Sequence, residues 1–188
     1  MNTDALSKVL SGTVVCLNIL AFSLYIPNAS PNTAAWSLWA GITVIGAFSY
    51  MKMTGDPVKN FPALVNIFIT IPVFVYFAIV GKFQAIGYLE YILFGIGIFA
   101  CFVWWWYRSA TYAQMIIQAV IAIGYISNVT SVWANPGSEP AYPWFIWTLC
   151  SITMGAVVIL RWQKWQDIIG PTNSTLFSFI IATLALRA

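Results

Sequence analysis

Long apolar runs separated by short polar breaks dominate the chain. Seven of them approach or exceed the ~20 mostly apolar residues that a helix needs to cross a bilayer. They cover about 9–26, 34–53, 60–80, 86–107, 112–133, 141–162 and 173–186, the last being the shortest. The breaks carry turn chemistry, because Pro and Gly interrupt helical periodicity. They are Pro27-Asn28 with Pro31-Asn32, Gly55-Asp56-Pro57, Gly81-Lys82, Arg108-Ser109, the Asn135-to-Pro140 stretch, and the polar segment 163–172. Connections this short make consecutive helices antiparallel neighbours and leave no room for a soluble domain. The pattern predicts an all-α membrane protein of seven spans.

Composition fixes the medium. Of 188 residues, 61% are hydrophobic and 7% are charged, against about 25% charged in a soluble domain. Too few charges exist to cover a water-facing surface. Histidine is absent, which removes imidazole ligation of haem, His-based zinc sites and His-dependent triads. The net charge of +3 is too small for a nucleic-acid surface. Cys16, Cys101 and Cys150 lie far apart inside apolar runs with no C-x-x-C, so they read as small buried apolar residues. All lysines sit at helix ends, so none is placed for a mid-span Schiff base. No nucleophile–base pair, metal cluster or acidic dyad can be assembled. An enzyme and a bound cofactor are therefore not expected.

Charge also orients the chain. Lys8, Lys52, Lys59, Arg108, Arg161 and Lys164 fall on the N-terminal side of the expected spans, and only Lys82 and Arg187 on the other. The positive-inside rule then places the N-terminus in the cytoplasm of a cell (inner) membrane. Residues 1–7 carry no basic cluster and no A-x-A site follows, so the first run is expected to be a span, not a cleaved signal. Trp104, Trp105, Trp106, Trp162 and Trp165 flank inner-face cations and read as an aromatic belt. Trp36 and Trp144 read as outer-face belt residues.

An internal repeat is suggested at a shift of 108 residues. It superposes Trp36-Ser37-Leu38-Trp39 on Trp144-Phe145-Ile146-Trp147 and Thr43 on Ser151. Both W-x-x-W segments follow a turn rich in Pro, Asn and Ser. Seven spans then divide into a three-helix repeat (1–83), a linker helix (84–110) and a second three-helix repeat (111–188). An odd linker makes the two triplets parallel, an arrangement used by carriers with a site at the repeat interface.

This 3+1+3 plan, its size and the W-x-x-W at the second helix of each triplet resemble the SWEET and PQ-loop carriers. The stretch 121–133 (IAIGYISNVTSVW) is similar to the first helix of such a repeat. Region 36–107, with Leu89-Glu90-Tyr91, is similar to the related nicotinamide riboside carriers. The resemblance implies movement of a sugar or a vitamin-like solute. It also implies an asparagine on the third helix of each triplet that binds the solute, here Asn66 and Asn173.

Polar residues inside the spans admit two readings. A buried amide or hydroxyl needs a partner in hydrocarbon, either a neighbouring helix or a polar solute in a wet cavity. The candidates are Asn18, Asn66, Thr70, Gln118, Ser127, Asn128, Ser151 and Thr153. Trp39 and Trp147 could offer ring faces to a solute, with Thr43 and Ser151 lining the wall. Pro72 removes a backbone bond in mid-span and is a candidate hinge. Glu90, the one acid within a run, is a candidate proton-coupling carboxylate or an interfacial one. Arg161 is expected to reach the interface.

The resulting expectation is a carrier of a small neutral polar solute working by alternating access. The alternative is a non-transporting subunit of a larger membrane complex. The partners expected are the solute, the lipid bilayer, and either a second copy of the chain or other membrane subunits.

Overall fold

Local chemistry sets where each helix begins and ends. In a computed structural model, which describes residues 2–84, 88, 91–92, 95, 98–99, 102, 106 and 109–188, α1 (Thr3–Asn28) starts behind Asn2. The Asn2 side chain accepts from the Asp4 N–H. Asn32 caps α2 (Thr33–Thr54) by accepting from the Ala35 N–H, and Asp56 caps α3 (Pro57–Val80). Pro57 suits the first turn of α3, where its missing N–H would be unpaired anyway. Gly55 and Gly81 end α2 and α3 with φ of 63° and 67°, a left-handed conformation that costs other residues a steric penalty. Then follow α4 (Ala110–Ala134), a short 3-10 turn (Pro136–Ser138), α5 (Ala141–Leu160), a second 3-10 turn (Trp165–Ile168) and α6 (Ile169–Ala185).

Among the described residues, six helices are long and apolar enough to cross a membrane, and this marks an integral membrane protein. No strand occurs among them. The last span, short in the sequence pattern, is lengthened by the polar segment before it, whose 3-10 turn runs directly into α6. The expected run 86–107 lies largely outside the described residues, and so do Glu90, Cys101, Trp104, Trp105 and Arg108. Tyr88, Tyr91, Ile92, Gly95, Ile98, Phe99, Phe102 and Trp106, which are described, are helical and exposed.

Packing does not follow chain order. Helix α3 packs on both α1 and α2, which make no extensive contact with each other; likewise α6 packs on both α4 and α5. Two further interfaces join the first three helices to the last three, α1 on α5 and α2 on α4. With lipid as apolar as the side chains, close van der Waals fit holds such interfaces. Small residues permit it: Ala21, Ala34, Ala35, Ala47 and Ala113 are buried. Phe68 and Ile79 are each 79% exposed, as a lipid-facing surface requires. Cys16 is exposed as well, whereas Cys150 is buried; the expectation of burial fails for Cys16 because its side of α1 faces outward.

At the N-terminal end the halves are joined by ions. Lys59 Nζ lies 2.6 Å from Asp167 Oδ2, and both side chains are 0% exposed. Lys59 also donates to the Gln163 side-chain oxygen at 2.8 Å and to the Arg161 carbonyl at 3.2 Å. Arg161 sits at the C-terminal cap of α5. Its guanidinium bonds Asp56 at 2.6 Å and Asp4 at 2.7 Å, because two carboxylates from the other half offer charge-assisted partners. Burial pushes the Asp56 carboxyl up, but the Arg161 guanidinium and the N–H groups of Lys59 and Val58 outweigh it, holding it below the usual range.

A buried pair is costly to break from one side, since the remaining charge is stranded. Lys59→Met is therefore expected to destabilise the protein by about 3–5 kcal/mol. The double variant Lys59→Met/Asp167→Leu is expected to recover most of that loss. Thermal unfolding in detergent, followed by circular dichroism, measures both.

Candidate functional site

Six helices line a cavity of about 290 Å³ near the middle of the bundle. Its wall carries hydrogen-bonding groups but no charged side chain. On one side the Asn18 amide donates to Asn66 Oδ1 at 2.8 Å, and the Trp147 indole N–H donates to Asn18 Oδ1 at 2.9 Å. This chain links α1, α3 and α5 and fixes the orientation of both amides. Opposite, α4 contributes Gln114 and Gln118. The Trp39 indole N–H and the side-chain carbonyls of Gln114 and Gln118 are buried without a protein partner. Buried polar atoms in that condition are rare, and with the Ser178 hydroxyl four of them belong to residues that line the cavity.

Aromatic rings close the cavity on the side away from the N-terminus. Tyr25 stacks on Trp36 at 5.3 Å between centroids, and Trp144 meets Trp147 edge-on at 4.8 Å. Trp147 also contacts Phe22 at 5.1 Å, and Trp39 contacts Tyr125 at 5.0 Å. Offset and edge-on pairs of this kind each contribute about 0.5–1.5 kcal/mol beyond burial. Trp36 and Trp144 are each 2% exposed. They are the centre of this cluster and not belt residues, because Tyr25 and Glu139 supply buried partners for their indole N–H groups. Trp106, Trp162 and Trp165 are exposed, as expected of a belt.

Of the residues singled out from sequence, Asn66, Trp39, Trp147, Thr43 and Ser151 line the cavity. Asn173 does not. Its amide donates to the Gln118 backbone carbonyl at 3.1 Å, tying α6 to α4. Ser174, one residue on, lines the cavity instead, and the 108-residue shift carries Asn66 onto Ser174. One residue along a helix turns a side chain by about 100°, enough to move it from wall to interface. Thr43 donates back to the Trp39 carbonyl at 2.6 Å, so it offers the cavity only acceptor capacity. Pro72 lies on an exposed face of α3, which stays helical from Pro57 to Val80. Gln114, Tyr25 and Glu139 escaped sequence reasoning, since nothing local to them signals a cavity or a cluster.

No family model matches the chain, and no curated protein and no solved structure matches it.

Gly124 sets the position of one cavity ring. A Cβ built there would lie 2.6 Å from Trp39 Nε1, and the indole is hemmed in by Tyr125, Trp36 and Trp144. Gly124→Ala is expected to displace the indole and cost about 1–3 kcal/mol. A shifted tryptophan emission maximum together with a lowered melting temperature is the expected signature.

Proposed function

We propose that the protein carries a small neutral polar solute across the membrane by alternating access. The carrying observation is the cavity, walled by uncharged side chains with hydrogen-bonding groups and by ring faces. A charged solute would find no counter-charge there, and a purely apolar one would leave the polar side chains of the wall without a partner. Its volume sits at the lower limit of small-molecule pockets, ~300–1,000 Å³, which suits a solute of monosaccharide size. Asn66, held by Asn18, and the Gln114 and Gln118 carbonyls would bond its hydroxyl or amide groups. Trp39 and Trp147 would face its ring, with Thr43 and Ser151 beside them.

The two ends supply what alternating access needs. Each closes through contacts between the first three helices and the last three: Lys59 with Asp167 at one end, Tyr25 with Glu139 at the other. Opening one while the other stays shut would rock one triplet against its partner.

The proposed architecture is two parallel triplets joined by a linker helix, 3+1+3. Two observations support it. The third helix lies between the first two in both triplets, and the interfaces between triplets exchange equivalent helices, α1 with α5 and α2 with α4. Gln84 bonds Ser131 at the end opposite the N-terminus, while α4 next begins at the N-terminal end, so a further crossing over 86–107 would complete the plan. The lysine and arginine bias favours an inside N-terminus, and the resemblance to SWEET-type carriers favours a sugar or a nucleoside-like vitamin.

Uptake of radiolabelled glucose and of nicotinamide riboside into proteoliposomes tests the reading. Asn66→Ala is expected to reduce uptake by about tenfold, the value of one hydrogen bond to a buried solute. Asn173→Ala is expected to stay within about twofold of the parent protein, because its amide serves a helix contact. No uptake of either solute, with co-purification of the chain in a fixed ratio with other membrane proteins, would replace the carrier with a structural subunit.

A further inference from the structure

The end opposite the N-terminus holds a carboxylate that the solute site does not use. Glu139 lies in the α4–α5 connection and is 2% exposed. Its loop is fastened to the α1–α2 turn, where the Ser30 N–H donates to the Ser138 carbonyl at 3.0 Å. The Tyr25 hydroxyl donates to Glu139 Oε1 and the Trp144 indole N–H to Oε2, each at 2.9 Å. The Trp36 indole N–H donates in turn to the Tyr25 hydroxyl at 3.1 Å. One carboxylate thus holds three rings from α1, α2 and α5, and two of these, Trp36 and Trp144, form part of the cavity wall.

Among the described residues, no cation pairs with it. Lys82 donates to the carbonyls of Ile26 and Pro27, and the Arg187 guanidinium lies over the Trp133 ring. The neighbouring face of α6 is apolar, with Ile181, Ala182 and Ala185 in the same core cluster as Tyr25 and Trp144. From α4, the buried Asn128 turns its amide toward the carboxylate, yet neither amide atom makes a hydrogen bond of full geometry. The Asn128 carbonyl is unbonded as well, so a flip of the amide would turn an acceptor toward a protonated Glu139.

We propose that Glu139 is a proton-binding site that governs opening of the cavity toward this end: the proton is taken up as the aromatic roof closes and given back as it opens. The proton comes from water at this face and joins one carboxylate oxygen, and a flip of the Asn128 amide gives the new O–H an acceptor. On opening it returns to the same water. Burial raises the Glu139 carboxyl from its ordinary 4.5 to about 7 in the closed roof, against the pull of its donors. An opened roof would hydrate the group and restore an ordinary value. The closed state then binds the proton more tightly, so between about pH 4.5 and 7 acid at this face favours closure. Above that window the charged carboxylate favours water and the open roof.

The cavity's use in transport rests on the carrier reading, but the proton site does not, and the test keeps them apart. Purified protein in nanodiscs is titrated by infrared difference spectroscopy, with acrylamide quenching of tryptophan in parallel. The parent protein is expected to show a protonated-carboxyl band with a midpoint near pH 7, absent in Glu139→Gln. Quenching is expected to be about twofold weaker at pH 6 than at pH 8 in the parent, and weak at both in the variant. Tyr25→Phe, which removes one donor to the carboxylate, is expected to raise the midpoint by about one pH unit; it serves even where Glu139→Gln does not fold. A band unchanged by Glu139→Gln, a midpoint in the ordinary carboxylate range, or a midpoint that Tyr25→Phe leaves in place would overturn the proposal. None of these readings needs a solute, so lost uptake with an intact titration defeats only the carrier, and the reverse defeats only the proton site.

Discussion

Hydrocarbon offers no hydrogen bonds, so every polar group within the spans must find its partner in the protein. This constraint arranges the whole molecule. Charged side chains are driven to the ends, and at the N-terminal one Lys59, Asp167, Arg161, Asp56 and Asp4 pair across the two halves. Neutral polar side chains stay inside only where they converge. Serines and threonines facing outward turn back on their own helices, as Thr153 and Thr183 do onto Leu149 and Phe179. Four amides gather around one space, Asn18 and Asn66 on one side and Gln114 and Gln118 on the other.

The helices were legible because apolar runs and Pro/Gly breaks follow from the same constraint, with Gly55, Gly81, Asn32 and Asp56 marking ends that the structure keeps. Boundaries moved by a few residues where polar segments proved helical, as before α6. The cavity was partly legible. Trp39 and Trp147 stood out through the 108-residue shift, and Asn66 stood out as an amide in hydrocarbon. Side-chain direction was not legible: Asn173 and Ser174 differ by one position in sequence but by the distinction between an interface and a wall. The ion cluster was hidden because its members come from four separated segments, each of which looks like an ordinary charged helix end. Trp36 and Trp144 misled for a related reason, since a tryptophan near a span's end fits a lipid interface as well as a buried ring cluster.

The two ends use opposite materials. At the N-terminal end, two ion-pair systems bind the halves over a short distance, and loss of Lys59 or Asp167 strands a buried charge. At the far end, flat rings interlock around one carboxylate, so the contacts are numerous and individually modest. The cavity thus lies between an ionic end and an aromatic one.

The placement of α3 between α1 and α2 has a consequence for biogenesis. The first two spans leave the ribosome without an interface to share, so the nascent hairpin must remain splayed in lipid until the third span slots between its arms. Lys59 then waits longer still. Its counter-ion, Asp167, is synthesised 108 residues later, and until that moment the lysine has to be kept hydrated at the membrane surface. Completion of the chain, more than insertion of any one span, is what permits this end of the bundle to dry.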